Sequence, residues 1–539
     1  MIWYSFIMFI KISSKNNIKY ASIVSSYREN GITKHKQILN LGRLDLIENN
    51  PSFYRLGVKF IELAKKKKIM DLENISEADI LNYGFVAYKK LWESFGIDSI
   101  LNSEDIKGNI DYSLNDTCFL MSLTHLLDPQ SKLSAYNHKN RYLGLPDVKL
   151  HNLYRSLDIL SDNKEKIEEE LFYRKRDLFN LSLDVVFYDV TTFYFESVRK
   201  DSLKDFGFSK DNKLNEVQVV MGLLVDKNGM PVGYELFPGN TYEGKTLETS
   251  LLKLKERFNI DRIIIVADKG MNSKLNLKKI HDMGFNYIIS SRLKSLNKDI
   301  LKKIFSKEGF IKEKKYSYKK IDYLNKNKEF DIRENLIVTY SDERALHDKK
   351  LREKLINKAI KYSEVPSLIK ASNKRGGKKY IKETGACSFS LDASAIAKDE
   401  AFDGYYAIQT NELDLEPKEI INAYSHLWKI EESFRIMKST MEVRPVFHWT
   451  EKRIKGHFVI CFLSFLLERT LELKLKEKNI ECSPERIKEA LNSMNFAEVK
   501  LEEEKFYIKT KVNELSNKIL KVLSIKPLKN IIPVLEALL

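Results

Sequence analysis

The chain has 539 residues, of which 43% are hydrophobic and 31% are charged. This composition excludes a disordered protein and predicts a globular one with about three or four domains. The 91 Lys and Arg residues outnumber the 75 Asp and Glu residues, which gives a formal net charge of +16. A basic surplus of this size favours a polyanionic partner, most often nucleic acid, although a merely lysine-rich protein is the alternative.

The four cysteines, Cys118, Cys387, Cys461 and Cys482, are far apart and form no Cys-x-x-Cys pair. Their spacing argues against a zinc ribbon or a disulfide framework and suits a reducing compartment. The apolar run at 457–467 is too short to cross a bilayer. We therefore expect a cytoplasmic protein with no membrane role.

In the first third of the chain, apolar residues are spaced first as in strands and then as in helices. Residues 1–50 predict a small N-terminal β unit, with short strands at 9–12, 20–24 and 37–41. Residues 51–180 show helical spacing of apolar residues. We expect the helices of this region at 53–68, 80–95, 114–127 and 151–180. The region could bind DNA, but it carries no decisive recognition-helix pattern.

From residue 181 the pattern changes to strands and helices in turn. A strand at 183–189 precedes a hairpin, 217–225 with 230–237, whose Asn228-Gly229 pair suits a tight turn. A helix at 246–258, a strand ending at Asp268, a helix at 273–283 and a strand at 287–290 follow. This order is typical of an α/β, ribonuclease-H-like catalytic core that still lacks its last helix.

The missing helix comes late in the chain. Residues 292–400 predict a largely β insertion with one helix at 341–362. A strand at 405–410 returns the chain to the core, and one helix follows from Pro417 to about residue 440. The core thus comprises 181–291 and 401–445, and residues 446–539 predict a C-terminal helical region.

Three acids in these elements stand out. Asp189 and Asp268 end apolar strands, and Glu431 lies at the margin of the buried stripe of the late helix. Taken singly, each Asp could cap a turn, and Glu431 could pair with Arg435 one turn later. Taken together, three carboxylates from distant parts of a chain are suitable ligands for a pair of divalent cations.

The same helix carries a recognisable spacing. Tyr424, Glu431 and Lys438 are seven residues apart, which places them along one side of a helix. This segment resembles the Y-x2-R-x3-E-x6-K signature of DDE transposases of bacterial insertion sequences in the IS-four superfamily. The stretches that begin at Asp189 and at Ala267 resemble the motifs around the two Asp residues of that family.

The resemblance implies a function and a set of roles. Asp189, Asp268 and Glu431 would hold two Mg²⁺ (or Mn²⁺) ions, and the enzyme would cleave and join DNA strands at element ends. Tyr424 and Lys438 would contact the DNA backbone. Double-stranded DNA at element ends and at the target would be the partner, bound by a homo-oligomer at the bacterial nucleoid.

One position departs from the signature, because Leu427 stands where the family has Arg. Lys429 or Arg435 could substitute for the lost phosphate contact. Further basic residues beyond Lys438 are also expected on the DNA backbone, and these are Arg444, Lys452 and Arg453.

Two other functions remain open from the sequence. Gly239–Thr246 matches the phosphate-binding pattern G-x-x-x-x-G-K-[ST], which predicts a DNA-associated P-loop ATPase. The hairpin arm before Gly239 and the bulky Tyr242 and Glu243 argue against it. A transposase relic that binds DNA without cutting is the second alternative, supported only by Leu427.

Overall fold

The structure is a computed structural model. It describes residues 7–29, 32–48, 50–66, 79–179, 185–209, 213, 215–258, 263–327, 330–364, 376–385, 388–501 and 504–533. The chain divides into two units, Met1–Ala78 with Val499–Phe506 and Asp79–Glu498 with Tyr507–Leu539. Within these described ranges, no helix has the length and apolar character needed to span a membrane.

The first unit begins with an antiparallel sheet of three strands. They are β1 (Ile7–Lys15), β2 (Ile18–Glu29) and β3 (Ile32–Arg43), followed by the helices α1 (Leu44–Glu48) and α2 (Pro51–Lys66). Asn16 and Asn17 join β1 to β2 with φ angles of 51° and 59°. Asn tolerates this left-handed region, which a two-residue turn between strands requires. The three strands expected in residues 1–50 are present.

The second unit opens with a short strand and a group of helices. They are β4 (Asp79–Asn82), α3 (Val86–Ser94), α4 (Ile97–Asn102), α5 (Glu104–Lys107), α6 (Leu114–Leu127), α7 (Lys132–Asn137), α8 (Leu150–Asp162) and α9 (Lys164–Phe179). The helix expected at 114–127 is confirmed. The one expected at 80–95 is wrong in its first residues, which form β4, and the long helix expected at 151–180 is two helices that meet at Asn163. The end of that predicted helix, residue 180, lies outside the described residues.

Nine strands form one large sheet in this unit. In chain order its strands are β5 (Val185–Tyr194), β6 (Gln218–Asp226), β7 (Pro231–Pro238), β8 (Ile264–Ala267), β9 (Asn286–Ser290), β10 (Ile311–Lys312), β11 (Ser317–Asn327), β12 (Phe330–Tyr340) and β15 (Tyr405–Thr410). Two further strands, β13 (Ile381–Gly385) and β14 (Ser388–Leu391), form a separate hairpin. The order across the sheet is β10-β11-β12-β15-β9-β8-β5-β6-β7. The strands β5, β8 and β9 are parallel, and β5, β6 and β7 form an antiparallel meander. This α/β arrangement is consistent with a ribonuclease-H-like core.

The remaining described elements are helices that lie between or follow these strands, and three strands outside the large sheet. They are α10 (Glu243–Phe258), α11 (Lys274–Asp282), α12 (Lys298–Phe305), α13 (Asp342–Glu364), α14 (Ala393–Glu400), α15 (Pro417–Ser425), α16 (Trp428–Arg435), α17 (Glu451–Glu477), α18 (Pro484–Asn492), β16 (Asn495–Leu501), β17 (Glu504–Lys509), α19 (Glu514–Val522) and β18 (Ile531–Pro533). Apolar residues of α10 and α11 pack on one face of the central strands, and those of α16 and α17 pack on the other.

Three expectations about these later elements need correction. Residues 292–400 contain three helices beside their strands, and β11 and β12 extend the core sheet, so the insertion is not largely β. Residues 446–539 include the strands β16, β17 and β18 and are therefore not wholly helical. The single helix expected from Pro417 to residue 440 is broken into α15, α16 and a π-helical turn, Ile436–Thr440.

The helix α17 is the centre of the second unit. It is 27 residues long and buried on all sides in its middle, because α3, α6 and α8 pack around it and β7 lies against it. A helix that is apolar all round is stable only in such a position. Gly456 lets the backbone of α17 lie directly against the backbone of α8, because a Cβ atom at this position would overlap the backbone carbonyl of Leu157 in α8.

We therefore predict that Gly456→Ala destabilises the protein, because α17 and α8 would have to separate. The expected loss is about 1–3 kcal/mol of unfolding free energy, despite the better helix propensity of Ala. Urea denaturation followed by circular dichroism measures it. Gly57→Ala in α2 is the matched helical control, because a Cβ atom there meets nothing within 4 Å. A Gly456→Ala protein as stable as the wild type would contradict this account of the packing.

Candidate active site

Asp189 lies within β5, and not at its end as the sequence suggests. Pairing with β6 continues along β5 from Val186 to Tyr194, which keeps the strand going past the acid. Pairing with the parallel strand β8 stops earlier, at Tyr188 opposite Ala267. Asp189 is thus the first residue of β5 beyond the end of its parallel neighbour. Residues 183–184 of the expected strand lie outside the described residues.

Asp268 follows β8 directly and keeps an extended backbone, with φ −78° and ψ 170°. Because Tyr188 is opposite Ala267, the two acids continue the same register on strands about 4.8 Å apart. Side chains alternate along a strand. Tyr188 points to α10, where its hydroxyl donates a 2.7 Å hydrogen bond to Thr246 Oγ1. Asp189 and Asp268 therefore both face the opposite side of the sheet, where α16 packs.

Glu431 lies on an exposed flank of α16. Ile430 and Phe434 of this helix are buried against the sheet, and the helix packs over β5 and β6. Lys429 lies on one flank, where its Nζ donates to the carbonyl oxygen of Lys227 at 2.5 Å, in the turn between β6 and β7. Glu431 is two residues further on, about 200° around the axis, and so lies on the other flank.

The salt bridge between Glu431 and Arg435 that the spacing allows is not formed. Arg435 contacts Glu432 instead, at 3.4 Å, and Glu432 also contacts the buried Arg469 of α17 at 3.1 Å. In the described part of the chain, neither Glu431 nor Asp268 has a salt bridge, and both are exposed. Glu432 thus stabilises the contact with α17, and Glu431 is left on the surface of the site.

The three acids form an open group. Within the residues that the structure describes, only His125, His457 and Cys461 form a set of three such side chains close enough to hold one ion. The carboxylates of Asp189, Asp268 and Glu431 lie wider apart than that. Their chemistry nevertheless fits Mg²⁺ or Mn²⁺, which bind to carboxylate oxygen and need little else from the protein.

Tyr424 is tied into the site more closely than its expected role suggests. Its hydroxyl accepts a 2.6 Å hydrogen bond from Tyr406 of β15. Burial raises the pKa of Tyr424, and the neighbouring Tyr406 and the charge of Asp268 raise it further. Tyr424 therefore stays protonated beside the acid. Tyr406 was not predicted as a site residue, because a Tyr-Tyr pair at the start of an apolar strand predicts only a strand.

Two family models match the chain. Residues 181–467 match the model described as "Transposase DDE domain", and residues 10–68 match the model of the N-terminal domain of IS1634 family transposases. The first match covers more than half of the chain. The chain belongs to the DDE-domain transposases. The N-terminal match supports an insertion-sequence transposase within that family.

Solved structures of transposases are similar only distantly. The piggyBac transposase synaptic complex with hairpin DNA matches at 8% identity and a TM-score of 0.37, over 78% of this chain and 83% of that one. The Mos1 transposase paired-end complex with left transposon end matches at 12% identity and a TM-score of 0.15, over 33% and 60% of the two chains. Scores this low carry no argument, and a comparison with curated proteins gave no match.

Two basic residues of the transposase lie near the far end of β5. The Nζ of Lys438 is 5.7 Å from the ring of Phe193, and the guanidinium of Arg444 is 5.7 Å from the ring of Tyr194. The backbone N–H of Val446 donates to the carbonyl of Tyr194 at 3.2 Å and fixes this segment to the strand. Both cations are thus placed a few residues beyond Asp189 along β5.

Two other predicted DNA contacts have acidic partners within the chain. Lys452 contacts Asp162 at 2.6 Å, and Arg453 contacts Asp158 at 3.5 Å, both on α8. These pairs are partly exposed, and such pairs contribute little stability. They still reduce the positive charge offered to DNA there. The sequence did not predict these pairs, because α8 and α17 are far apart in the chain.

A basic cavity of about 580 Å³ adjoins the site and was missed by the sequence analysis. It is lined by Lys269, next to Asp268, by Tyr406, and by cations and acids from the interval 292–405. The cations are Arg292, Lys294, Arg344, Arg352 and Lys379, and the acids are Asp348, Asp399 and Asp403. These residues are isolated in sequence, so no motif could have predicted the cavity.

The P-loop alternative conflicts with the fold. The strand before Gly239 is β7, which is antiparallel to β6 and lies at the edge of the sheet, whereas a P-loop follows a strand of a parallel sheet. Thr246, whose hydroxyl would bind the nucleotide's metal, is buried and hydrogen-bonded to Tyr188. The Gly239–Thr246 segment connects β7 to α10.

We predict that Glu432→Gln and Glu431→Gln have different effects on stability. Glu432→Gln removes a partner of the buried Arg469 and should reduce the unfolding free energy by about 1–3 kcal/mol. Glu431→Gln changes an exposed side chain and should stay within about 0.5 kcal/mol of the wild type. Urea denaturation of the two variants in parallel gives the comparison. A larger loss for Glu431→Gln would show that this acid has a packing role.

Proposed function

We propose that this transposase cleaves and joins phosphodiester bonds at insertion-sequence ends, with two divalent cations bound by Asp189, Asp268 and Glu431. The main support is that Asp189 and Asp268 continue one register on adjacent parallel strands and face the side of the sheet that carries α16. Membership of the IS-four superfamily is part of this proposal, and it depends on the Tyr424, Glu431 and Lys438 spacing.

The carboxylates would act as the cation ligands. When bound, two Mg²⁺ or Mn²⁺ ions would activate water or a 3′-hydroxyl and stabilise the leaving oxygen. The exposure of Asp268 and Glu431 leaves both accessible to a DNA end.

The surrounding side chains would position the DNA. The protonated hydroxyl of Tyr424 adds no charge beside Asp268, and because it accepts from Tyr406 its own proton can be donated to a phosphate oxygen. Lys438 and Arg444, beyond Asp189 on the same strand, are placed for the backbone of an incoming duplex. On the other side of the acids, the basic cavity adds Lys269 and Arg292 to the positive surface. Its other cations, Lys294, Arg344, Arg352 and Lys379, contact the cavity's own acids, Asp399, Asp348 and Asp403.

The non-cutting alternative is less well supported. Leu427, at the position of the family's Arg, is buried in the hydrophobic core at the start of α16. It therefore contributes packing in place of a phosphate contact. All three acids are retained on their elements, and a relic would have no need to keep them.

The division of the chain remains part of the proposal. We propose a core of residues 181–291 and 401–445, interrupted by 292–400, since β9 and β15 are adjacent in the sheet although the chain leaves after one and returns at the other. We further propose residues 51–180 as a possible DNA-binding region and a homo-oligomer on DNA, because two element ends must be joined. Action at the nucleoid follows from the DNA substrate.

Asp268→Asn should abolish cleavage of a duplex that ends in the element's own terminal repeat. The wild type should cut this duplex with Mg²⁺ or Mn²⁺ and fail with a chelator, and gel analysis of end-labelled DNA measures it. Removal of one charged metal ligand should lower the rate by at least about a thousandfold, because a step of about 4 kcal/mol depends on it.

Two control variants make this test specific. Glu432→Gln neutralises the acid next to Glu431 and should still cut, whereas Glu431→Gln should not. Lys245→Ala should also cut normally, and its failure together with loss of ATP hydrolysis would support the P-loop ATPase. DNA binding by the wild type without metal-dependent cutting would support the relic.

Arg444→Ala should weaken DNA binding uniformly across sequences. Loss of one phosphate contact should reduce the slope of log K against log salt by about 1. Fluorescence anisotropy at several salt concentrations measures both effects. Lys452→Ala, which removes a cation that contacts Asp162 at 2.6 Å, is measured in parallel for comparison. Equal slopes for wild type and Arg444→Ala would contradict the contact.

A further inference from the structure

A buried cluster of imidazole and thiol groups lies between α6 and α17, separate from the three acids. His125 comes from α6, and His457 and Cys461 lie one turn apart on α17, so that they face the same side. Their exposed fractions are 4%, 5% and 0%. The three ligand atoms all lie within 4.8 Å of one another. Nitrogen and sulfur donors at this spacing are not explained by DNA cleavage.

The hydrogen bonds of the cluster resemble those around a metal ligand. His125 Nδ1 is 3.3 Å from the carbonyl oxygen of Met441, which directs its Nε2 into the cluster. A backbone carbonyl holding the second nitrogen is the usual support of a histidine ligand. The Sγ of Cys461 is 3.5 Å from His457 Nε2. Two ligands of a tetrahedral Zn²⁺, one nitrogen and one sulfur, stand roughly 3.6 Å apart.

One atom of the cluster is poorly satisfied. His457 Nδ1 is buried, and its contact with the backbone of Val443 falls short of a hydrogen bond of good geometry. An unsatisfied buried polar atom costs about 1–3 kcal/mol. Packing alone does not explain a buried His with one nitrogen poorly satisfied and the other against a thiol.

Lys132 occupies part of the space that an ion would need. Its Nζ is 3.1 Å from His125 Nε2, so the amine and a cation would compete for one lone pair. A cavity of about 220 Å³ adjoins both side chains and can accept the displaced amine. His448 also lines this cavity, and its ring centroid is 5.0 Å from that of His457.

We propose that His125, His457 and Cys461 bind one Zn²⁺ ion, with His448 as the nearest side chain to complete a tetrahedral set. The donors select zinc over Mg²⁺, because thiolate and imidazole are soft ligands and Mg²⁺ requires oxygen. The site would be structural. It would join α6 and α17 to the segment 441–448. This segment carries Arg444, which is proposed to contact DNA, so the ion would hold the segment in position.

Cobalt substitution tests the site in the untagged full-length protein. Co²⁺ bound to a thiolate gives an ultraviolet charge-transfer band, which oxygen ligands such as Asp268 do not give. We expect this band at one Co²⁺ per chain, its reversal by Zn²⁺, and its loss in Cys461→Ser. Cys482→Ser is the matched control, because this free, half-buried thiol lies outside the cluster, and it should keep the band.

Several outcomes would overturn the proposal. Absence of the band in the wild type would mean that Lys132 permanently fills the site. Survival of the band in Cys461→Ser, or its loss in Cys482→Ser, would place the cobalt elsewhere. None of these readings depends on DNA cleavage, so the proposed zinc site and the proposed catalytic acids can fail independently.

A second variant covers the case in which Cys461→Ser does not fold. Lys132→Met keeps an unbranched apolar stem and removes the competing amine. Because the ion no longer has to break a charged hydrogen bond, its affinity should rise by about tenfold or more. A Co²⁺ affinity equal to that of the wild type would contradict binding at His125.

Discussion

The parallel pairing of β5 with β8 is the constraint on which the candidate active site depends. It ends at Tyr188 and Ala267, and the next residue on each strand is an Asp. The strand before each acid is apolar and buried on both faces, so its register is strongly fixed by the packing. A slip of one residue would turn one acid into the apolar layer under α10. The proposed catalytic chemistry thus depends on ordinary sheet packing.

Much of this core could be predicted from the sequence. The apolar runs before Asp189 and Asp268, the Asn228-Gly229 turn and the spacing of Glu431 indicate the strands, the hairpin and the late helix. These signals are local, and local patterns determine the type of an element better than its end. The continuation of β5 to Tyr194 is set by pairing with β6, which no pattern within β5 itself reveals.

Features that need two distant segments were missed. The ion pairs of Lys452 and Arg453 depend on α8 lying beside α17, and the basic cavity combines single residues from several elements. The cysteine spacing in the sequence indicates no metal site, and Cys461 meets His125 only because α6 packs on α17. Net charge alone also overstated the surface available to DNA, since several cations are used inside the fold.

The segmented helix that carries the family signature has one further consequence. In a π-helical turn each residue rotates less about the axis than in an α-helix, so Lys438 is turned away from the line through Glu431 that seven-residue spacing implies. A change that straightened Ile436–Thr440 would keep every letter of the signature and still rotate this lysine. Two homologous chains with the same motif could then place this lysine differently against their substrate, and a sequence alignment alone would not reveal the difference.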